Sequence, residues 1–288
     1  MRASAPRPDP VWRFCGRSLD LCRQTRIMGV VNVTPDSFSD GGLYDAPDAA
    51  VAHALRLLSE GADLLDIGGE SSRPGAEPVS PEAEAARTIP VITALRARAP
   101  EAILSIDTVK TSVARAALAA GAHIVNDITA GRGDPEMLPL VAETGAGIVL
   151  MHMRGIPGTM QNNPEYSDVT REVTDFLKQR TDAALAAGIA ADAIVLDPGI
   201  GFGKTLEHNL TLMRELPRMT AELPFPFLLG VSRKRWLGAL TGREVGDRTA
   251  ASLAGLAACI ERGAKIMRVH DVLFSCDVAK VIDRMYNT

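Results

Sequence analysis

Apolar residues along this 288-residue chain fall into two alternating kinds of pattern. Short, predominantly apolar runs occur at 27–33, 64–67, 103–106, 124–125, 147–151, 193–196, 227–230 and 265–269. Runs of this kind and length read as strands buried on both faces of a parallel sheet. Between them, apolar positions recur every three or four residues over 47–59, 81–99, 111–120, 135–143, 169–187, 206–216, 233–240 and 248–262, and again over 272–285. That period predicts helices with one apolar stripe. Gly61, Gly121, Gly145, Gly188 and Gly263 each stand just after a helical segment and just before a strand, the usual place for a helix-ending glycine. Upstream, an alternating stretch over 11–24, broken at Cys15-Gly16-Arg17-Ser18, predicts a small hairpin. Eight strand–helix repeats predict a (β/α)8 TIM barrel with a short N-terminal β-hairpin. The rival is a doubly wound open sheet; the number of repeats and the position of the polar residues favour the barrel. Residues 1–10 are expected to form a disordered tail, and 11–288 a single domain.

Composition narrows the picture. The chain is 46% hydrophobic and 23% charged, enough to bury a sizeable core. A net charge of -4 with no basic stripe argues against nucleic acid, and 4% aromatic residues is too few for a base-stacking platform. No apolar run approaches a membrane span, and residues 1–10 contain no apolar signal region. Cys15, Cys22, Cys259 and Cys276 are scattered, without a metal-binding or redox spacing. Reduced thiols in a cytoplasmic protein are expected.

Polar residues gather where the predicted strands end. The first strand leads to Asn32, the second to Asp66, Glu70, Ser72 and Arg73, the third to Asp107, and the fourth to Asn126 and Asp127. The fifth leads to His152 and Arg154, the sixth to Asp197, the seventh to Ser232, Arg233 and Lys234, and the last to Arg268, His270 and Asp271. In a barrel the chemistry lies on this face. A single aspartate there is often a helix cap, but polar groups at every strand end are not explained that way. Asp107, Asn126 and Asp197 suit a flat, donor-rich heterocycle. Arg73, Arg268 and His270 are positive donors for phosphate. Asn32 offers an oxygen to a hard cation such as Mg²⁺, and Lys234 could sit beside either group. The combination describes a site for a heterocycle carrying a phosphate ester. Two lookalike motifs are rejected. Gly203-Lys204-Thr205 resembles the end of a P-loop, but the required first glycine position is Pro198, and Gly199, Gly201 and Gly203 lack dinucleotide-fingerprint spacing.

Taken together, the motifs resemble the dihydropteroate synthase family over nearly the whole chain from Val11. They include Asn32-Val33-Thr34-Pro35-Asp36-Ser37-Phe38, Asp66-Ile67-Gly68-Gly69-Glu70-Ser71-Ser72-Arg73-Pro74-Gly75, Ser105-Ile106-Asp107-Thr108, Asn126-Asp127, Met151-His152-Met153, the stretch from Asp197 to Thr205, Ser232-Arg233-Lys234 and Arg268-Val269-His270-Asp271. The resemblance implies an alkyl-transferring enzyme of folate synthesis. It would join p-aminobenzoate to 6-hydroxymethyl-7,8-dihydropterin diphosphate, releasing diphosphate. It assigns Asp107, Asn126, Met151, Asp197 and Lys234 to the pterin. Asn32, Arg73, Arg268 and His270 fall to diphosphate, with Mg²⁺ at Asn32. Phe38, Ser72, Arg73, Pro74, Phe202 and Ser232 fall to p-aminobenzoate, Phe38 in the first of two mobile loops and 72–74 in the second. Asp107, Asp197, Lys234, Arg268 and His270 would carry the catalysis, through an SN1-like displacement. A homodimer formed through the last helices is expected. The chain departs from the family at Ser72, where threonine is common, which keeps the hydroxyl and loses a methyl. A pterin-binding methyltransferase domain would have no reason to keep the diphosphate residues, and a binding-only paralogue would be expected to lose loop residues that are present here.

Overall fold

Side chains alternate between the two faces of a strand, and that parity lays out this molecule. The computed structural model describes residues 10–34, 46–72 and 75–286. It opens with an antiparallel hairpin, β1 (Val11–Phe14) and β2 (Arg17–Asp20). Eight strands follow: β3 (Arg26–Asn32), β4 (Leu64–Gly68), β5 (Ile103–Asp107), β6 (Ile124–Asp127), β7 (Gly147–Met151), β8 (Ile194–Asp197), β9 (Leu228–Leu229) and β10 (Ile266–Val269). All pair in parallel in the order β8-β7-β6-β5-β4-β3-β10-β9. A parallel bridge between Leu196 and Phe227, and a 2.9 Å hydrogen bond from Leu196 N to Pro226 O, join β8 to the start of β9 and close the ring. The barrel is therefore present, and the open sheet is excluded.

Helices α1 (Ala46–Ser59), α2 (Pro81–Arg98), α3 (Thr111–Ala119), α4 (Met137–Thr144), α5 (Val169–Ala186), α6 (Leu206–Arg214), α7 (Leu216–Glu222), α8 (Arg235–Thr241), α9 (Thr249–Glu261) and α10 (Val272–Tyr286) link and surround the strands. Three departures from the sequence pattern stand out. The helix expected over 206–216 ends at Arg214, and α7 starts afresh with Pro217 in its first turn. Proline lacks an N–H and clashes with the preceding turn, which favours a fresh helix start here, although α2 accommodates Pro90 within its length. The helix expected from 233 starts at Arg235, because Arg233 has a left-handed φ of 58° that no α-helix continues. The strand expected over 227–230 shrinks to Leu228–Leu229. The expected tail lies outside the described residues except for Pro10, whose carbonyl accepts from Leu21 N and so belongs to the hairpin.

Two apolar layers result. Outward-facing strand residues, among them Leu65, Ile67, Leu104, Ile106, Ile148 and Leu196, pack on the helices. Inward-facing Met28, Leu64, Ile124, Val149, Val195, Leu228 and Ile266 fill the bottom of the barrel. The hairpin covers this end: Trp12, Phe14, Leu19 and Leu21 join the same cluster, and Trp12 Nε1 donates to Ala193 O at 2.9 Å. The hairpin is thus a plug. Trp12→Ala should cost about 3–5 kcal/mol of folding stability, read as a lower urea midpoint, while the turnover of the molecules that remain folded is unchanged.

Candidate active site

Two residues further along four of these inward-facing rows, apolar side chains give way to polar ones. Leu64 is followed by Asp66, Ile124 by Asn126, Val195 by Asp197 and Ile266 by Arg268. The same parity that fills the barrel floor with hydrocarbon therefore lines its mouth with charge. Asp66 and Arg268 accordingly lie within strands β4 and β10, not in the loops after them.

Asp66 is fully buried. Its Oδ2 accepts from Asn126 Nδ2 at 2.9 Å and from Arg268 Nε at 2.6 Å. Arg268 Nη2 donates to Asp107 Oδ2 at 2.8 Å. Four strands thus meet through one guanidinium, two carboxylates and one amide. The bond to Asp66 also orients Asn126, turning its Nδ2 toward Asp66. Burial pushes Asp107 up to about 7, against the pull of Arg268 and with a further push from Asp66. Burial would lower Arg268, but the two carboxylates outweigh it and hold the guanidinium above its ordinary value.

Across the mouth, Asp197 ends β8 and the chain turns through Gly199, Gly201 and Gly203, all at positive φ. At Gly199 a Cβ would stand 1.9 Å from His152 O, so no other residue fits. Gly199 N–H donates to Asp197 Oδ1 at 2.7 Å. Burial lifts Asp197 to about 6, against that hydrogen bond and the nearby Lys234, Lys204 and Arg268 charges. The turn presents Phe202 to an apolar group of Val109, Ile128, Met151, Met153 and Met160. Lys234 Nζ lies 4.1 Å from the centre of the Phe202 ring, a cation–π contact. Burial brings Lys234 down to about 8, against the pull of Asp197.

Ser232 is buried, and its Oγ lies 3.1 Å from His270 Nδ1. Burial, then Arg268, Arg233 and Lys234, bring His270 down to about 3. These surroundings favour the neutral imidazole, which can donate a hydrogen bond to an anion. Asn32 ends β3 beside Gly68 in the adjoining strand and is half-buried, as is Ser72. Phe38, Arg73 and Pro74 lie outside the described residues. The root of the loop that carries Ser72 is held by Lys110, which donates to both Glu70 and the buried Glu84.

Two residues gain importance that the sequence pattern did not assign. Asp66 was grouped with the strand-end residues but given no place in the site. The available signal was parity: an acid two residues after an inward-facing leucine in a strand buried on both sides. Lys204 was read only as part of a rejected P-loop, and no pattern in the sequence shows that its side chain turns inward.

The fold is that of the (β/α)8 barrel enzymes, with carboxylates, an amide and cations gathered at the strand-end mouth. A family model described as "Pterin binding enzyme" matches residues 28–270. Dihydropteroate synthase of Neisseria meningitidis serogroup C is 50% identical over 273 residues, covering 94% of this chain and 95% of that protein. A structure of Xanthomonas albilineans dihydropteroate synthase with 4-aminobenzoic acid superposes with a TM-score of 0.91 at 48% identity, covering 98% of this chain and 100% of that one. Another of the enzyme from that organism, in complex with 7,8-dihydropteroate, gives 0.87 at 46% identity, covering 97% and 100%. The chain belongs to the dihydropteroate synthase family.

The raised Asp197 pKa has a consequence for stability. The folded state keeps a proton on this group to about pH 6, whereas an unfolded aspartate releases it near 3.8. A raised folded pKa contributes stability that is present at low pH and lost as pH rises through the folded value. Asp197→Asn removes this dependence. Relative to the parent, the variant should therefore gain about 2 kcal/mol between pH 4 and pH 7, measured as the difference in urea unfolding free energy at the two pH values.

Proposed function

We propose that the barrel mouth condenses 6-hydroxymethyl-7,8-dihydropterin diphosphate with p-aminobenzoate, giving 7,8-dihydropteroate and diphosphate. The observation that carries this reading is the meeting of the Asp66–Asn126–Arg268–Asp107 network with Asp197 and the Lys234–Phe202 pair around one mouth. Asp107, Asn126 and Asp197 receive the donors and acceptors of the pterin ring, Met151 lies against its face, and Lys234 closes the pocket. Asn126 suits this role because Asp66 already orients its amide.

The bond that breaks joins the pterin methylene carbon to a diphosphate oxygen, and its electron pair leaves with the diphosphate. The ring can delocalise positive charge at that methylene, and the carboxylates of Asp107 and Asp197 favour the cation. Arg268 uses two N–H groups on Asp66 and Asp107. A guanidinium has five, so it retains donors for an anion. It thereby links the pterin floor to the departing diphosphate, and neutral His270 adds a hydrogen bond. The arylamine of p-aminobenzoate is neutral at pH 7 and needs no strong base. Its nitrogen forms the new C–N bond, and the proton it then sheds passes to the diphosphate or to solvent. Phe202, with the Lys234 stem beside Gly201, forms the wall for the second ring. Phe38, Ser72, Arg73, Pro74 and Ser232 complete the arylamine side, Arg73 reaching the diphosphate as well.

Among the described residues no group of three His, Cys, Asp or Glu could cage a metal. A single amide oxygen at Asn32 instead fits Mg²⁺ carried on the substrate, since this ion keeps water and phosphate oxygens and takes few protein ligands. When bound, the ion would neutralise diphosphate charge at the Asn32 end of the mouth. Two copies pair through the last helix, where Leu273, Phe274, Val281 and Met285 are exposed apolar residues. The four cysteines are free, which supports a cytoplasmic setting, and no described helix is long and apolar enough to cross a membrane.

A coupled assay should detect diphosphate release that requires both substrates and is stimulated by Mg²⁺. The absence of release with both substrates and Mg²⁺ present refutes the reading. Asp197→Asn should weaken binding of the pterin diphosphate far more than binding of p-aminobenzoate. Calorimetry that finds the pterin affinity unchanged removes Asp197 from the pterin pocket.

A further inference from the structure

The reaction proposed above does not use Lys204, yet this lysine is enclosed directly beneath the site. It is only 3% exposed. Its Nζ lies 2.9 Å from Gly199 O, 3.0 Å from Phe202 O and 3.0 Å from His152 Nδ1. An ammonium has three protons and no lone pair, so these acceptors, with His152 O as a longer fourth at 3.4 Å, use it fully. His152 Nδ1 can accept only if the ring is neutral. Burial, then the charges of Lys204, Arg132 and Arg154, bring His152 down to about 2, so the ring is neutral throughout the working range. Edge-on packing against Phe176, with ring centres 4.9 Å apart, fixes its plane.

The glycine-rich turn is held from two sides. From outside, Gln161 Nε2 donates to Gly201 O at 2.6 Å, Tyr166 OH donates to Gly203 O at 2.8 Å, and Gly201 N–H donates to Asn209 Oδ1 at 2.7 Å. From inside, Lys204 holds the carbonyls of Gly199 and Phe202. Those two peptide units bracket the part of the turn that carries the Phe202 ring. The first also leads to the N–H that Gly199 gives to Asp197. Gly203, with φ of 61° and no room for a Cβ, which would lie 2.4 Å from Arg154 O, turns the chain so that Lys204 points inward.

We propose that Lys204 is a positioning residue for the arylamine substrate: holding the carbonyls of Gly199 and Phe202 from within the turn, it sets the direction of Phe202 and so the wall against which p-aminobenzoate packs. This rests on the function proposed above. A lysine suits the task because one atom must serve three acceptors arranged around it. An apolar side chain of similar length takes the donor from Phe202 O and leaves Gly199 O with only the Phe202 N–H at 3.1 Å, and the turn then moves to recover a donor. Because Lys204 touches neither substrate, its loss should appear as misplacement of Phe202.

The test uses Lys204→Met, which keeps the length and removes every donor, and Lys204→Gln, which keeps an amide that can donate. Diphosphate release is measured with each substrate varied in turn, and pterin diphosphate affinity is measured separately by calorimetry. In Lys204→Met the KM for p-aminobenzoate should rise by about tenfold or more, while pterin diphosphate affinity and kcat change by less than about threefold. Lys204→Gln should fall between Lys204→Met and the parent. An unchanged KM for p-aminobenzoate overturns the proposal. So do equal losses for both substrates, and so does failure of both variants to fold, since Lys204 would then support the barrel generally. A parent protein that releases no diphosphate instead refutes the underlying reaction, so the two failures are distinct.

Discussion

A carboxylate with no access to water, Asp66, is the constraint around which the barrel mouth is arranged. A buried charge is tolerated only when its partners are close and well aimed. Asp66 meets that requirement through Oδ2, on which Asn126 and Arg268 converge, while its buried Oδ1 has no partner among the described residues, and Arg268 reaches on to Asp107. The members come from β4, β5, β6 and β10, so the register of four strands decides whether the network can form. A well-packed hydrocarbon core could replace such a network at little cost in stability. What hydrocarbon could not do is present an oriented amide, a carboxylate and unused guanidinium protons to one ligand.

Around this network the mouth holds charges in a setting that disfavours them. Burial pushes the Asp107 and Asp197 carboxyls up, and brings Lys204 down to about 7 and Lys234 to about 8. Each shift is a free-energy cost of keeping the group ionised. The apolar floor beneath offsets it: seven inward-facing strand residues and four from the hairpin form one dry layer. The hairpin therefore serves the site indirectly, by sealing the end of the barrel where no chemistry takes place. A ligand that brings donors to the carboxylates and negative charge to the cations relieves the same cost. The cost of holding these charges thereby contributes to ligand affinity.

The two lysines at the site illustrate how differently one residue type is used. Lys234 places its ammonium over the Phe202 ring, with its stem along Gly201. Lys204 lies inside the same turn and gives all its protons to the protein. Both contribute to where Phe202 stands, one by attraction to its face and the other by holding the backbone that carries it. A glycine-rich turn has little conformational preference of its own. Its shape comes from the side chains that reach its carbonyls.

The eight repeats, the hairpin and the strand-end clustering of Asp107, Asn126, Asp197, Lys234 and Arg268 are legible along the chain, because each rests on local periodicity or on the parity of a buried strand. The break at Pro217 is equally local. The left-handed Arg233 was not legible, since its conformation is held by contacts made far along the chain: its N–H donates to Ser252 Oγ, and its guanidinium is paired with Asp271. The preference of His270 for its neutral form was hidden for a related reason. Its proton affinity depends on Arg233, Lys234 and Arg268 gathering around it, and on burial.

By itself, then, the amino-acid order determined which residues form strands, which way their side chains alternate, and which chemical groups arrive at one end of the barrel. Tertiary structure alone decided who pairs with whom. It gave Asp66 its two donors, drew Arg268 onto Asp107 and folded Lys204 back beneath Phe202. The reason is physical. Periodicity acts over a few residues, whereas the pairing and protonation of a buried charge depend on whatever neighbours closure of the barrel brings within hydrogen-bonding distance, here from positions as much as 202 residues apart.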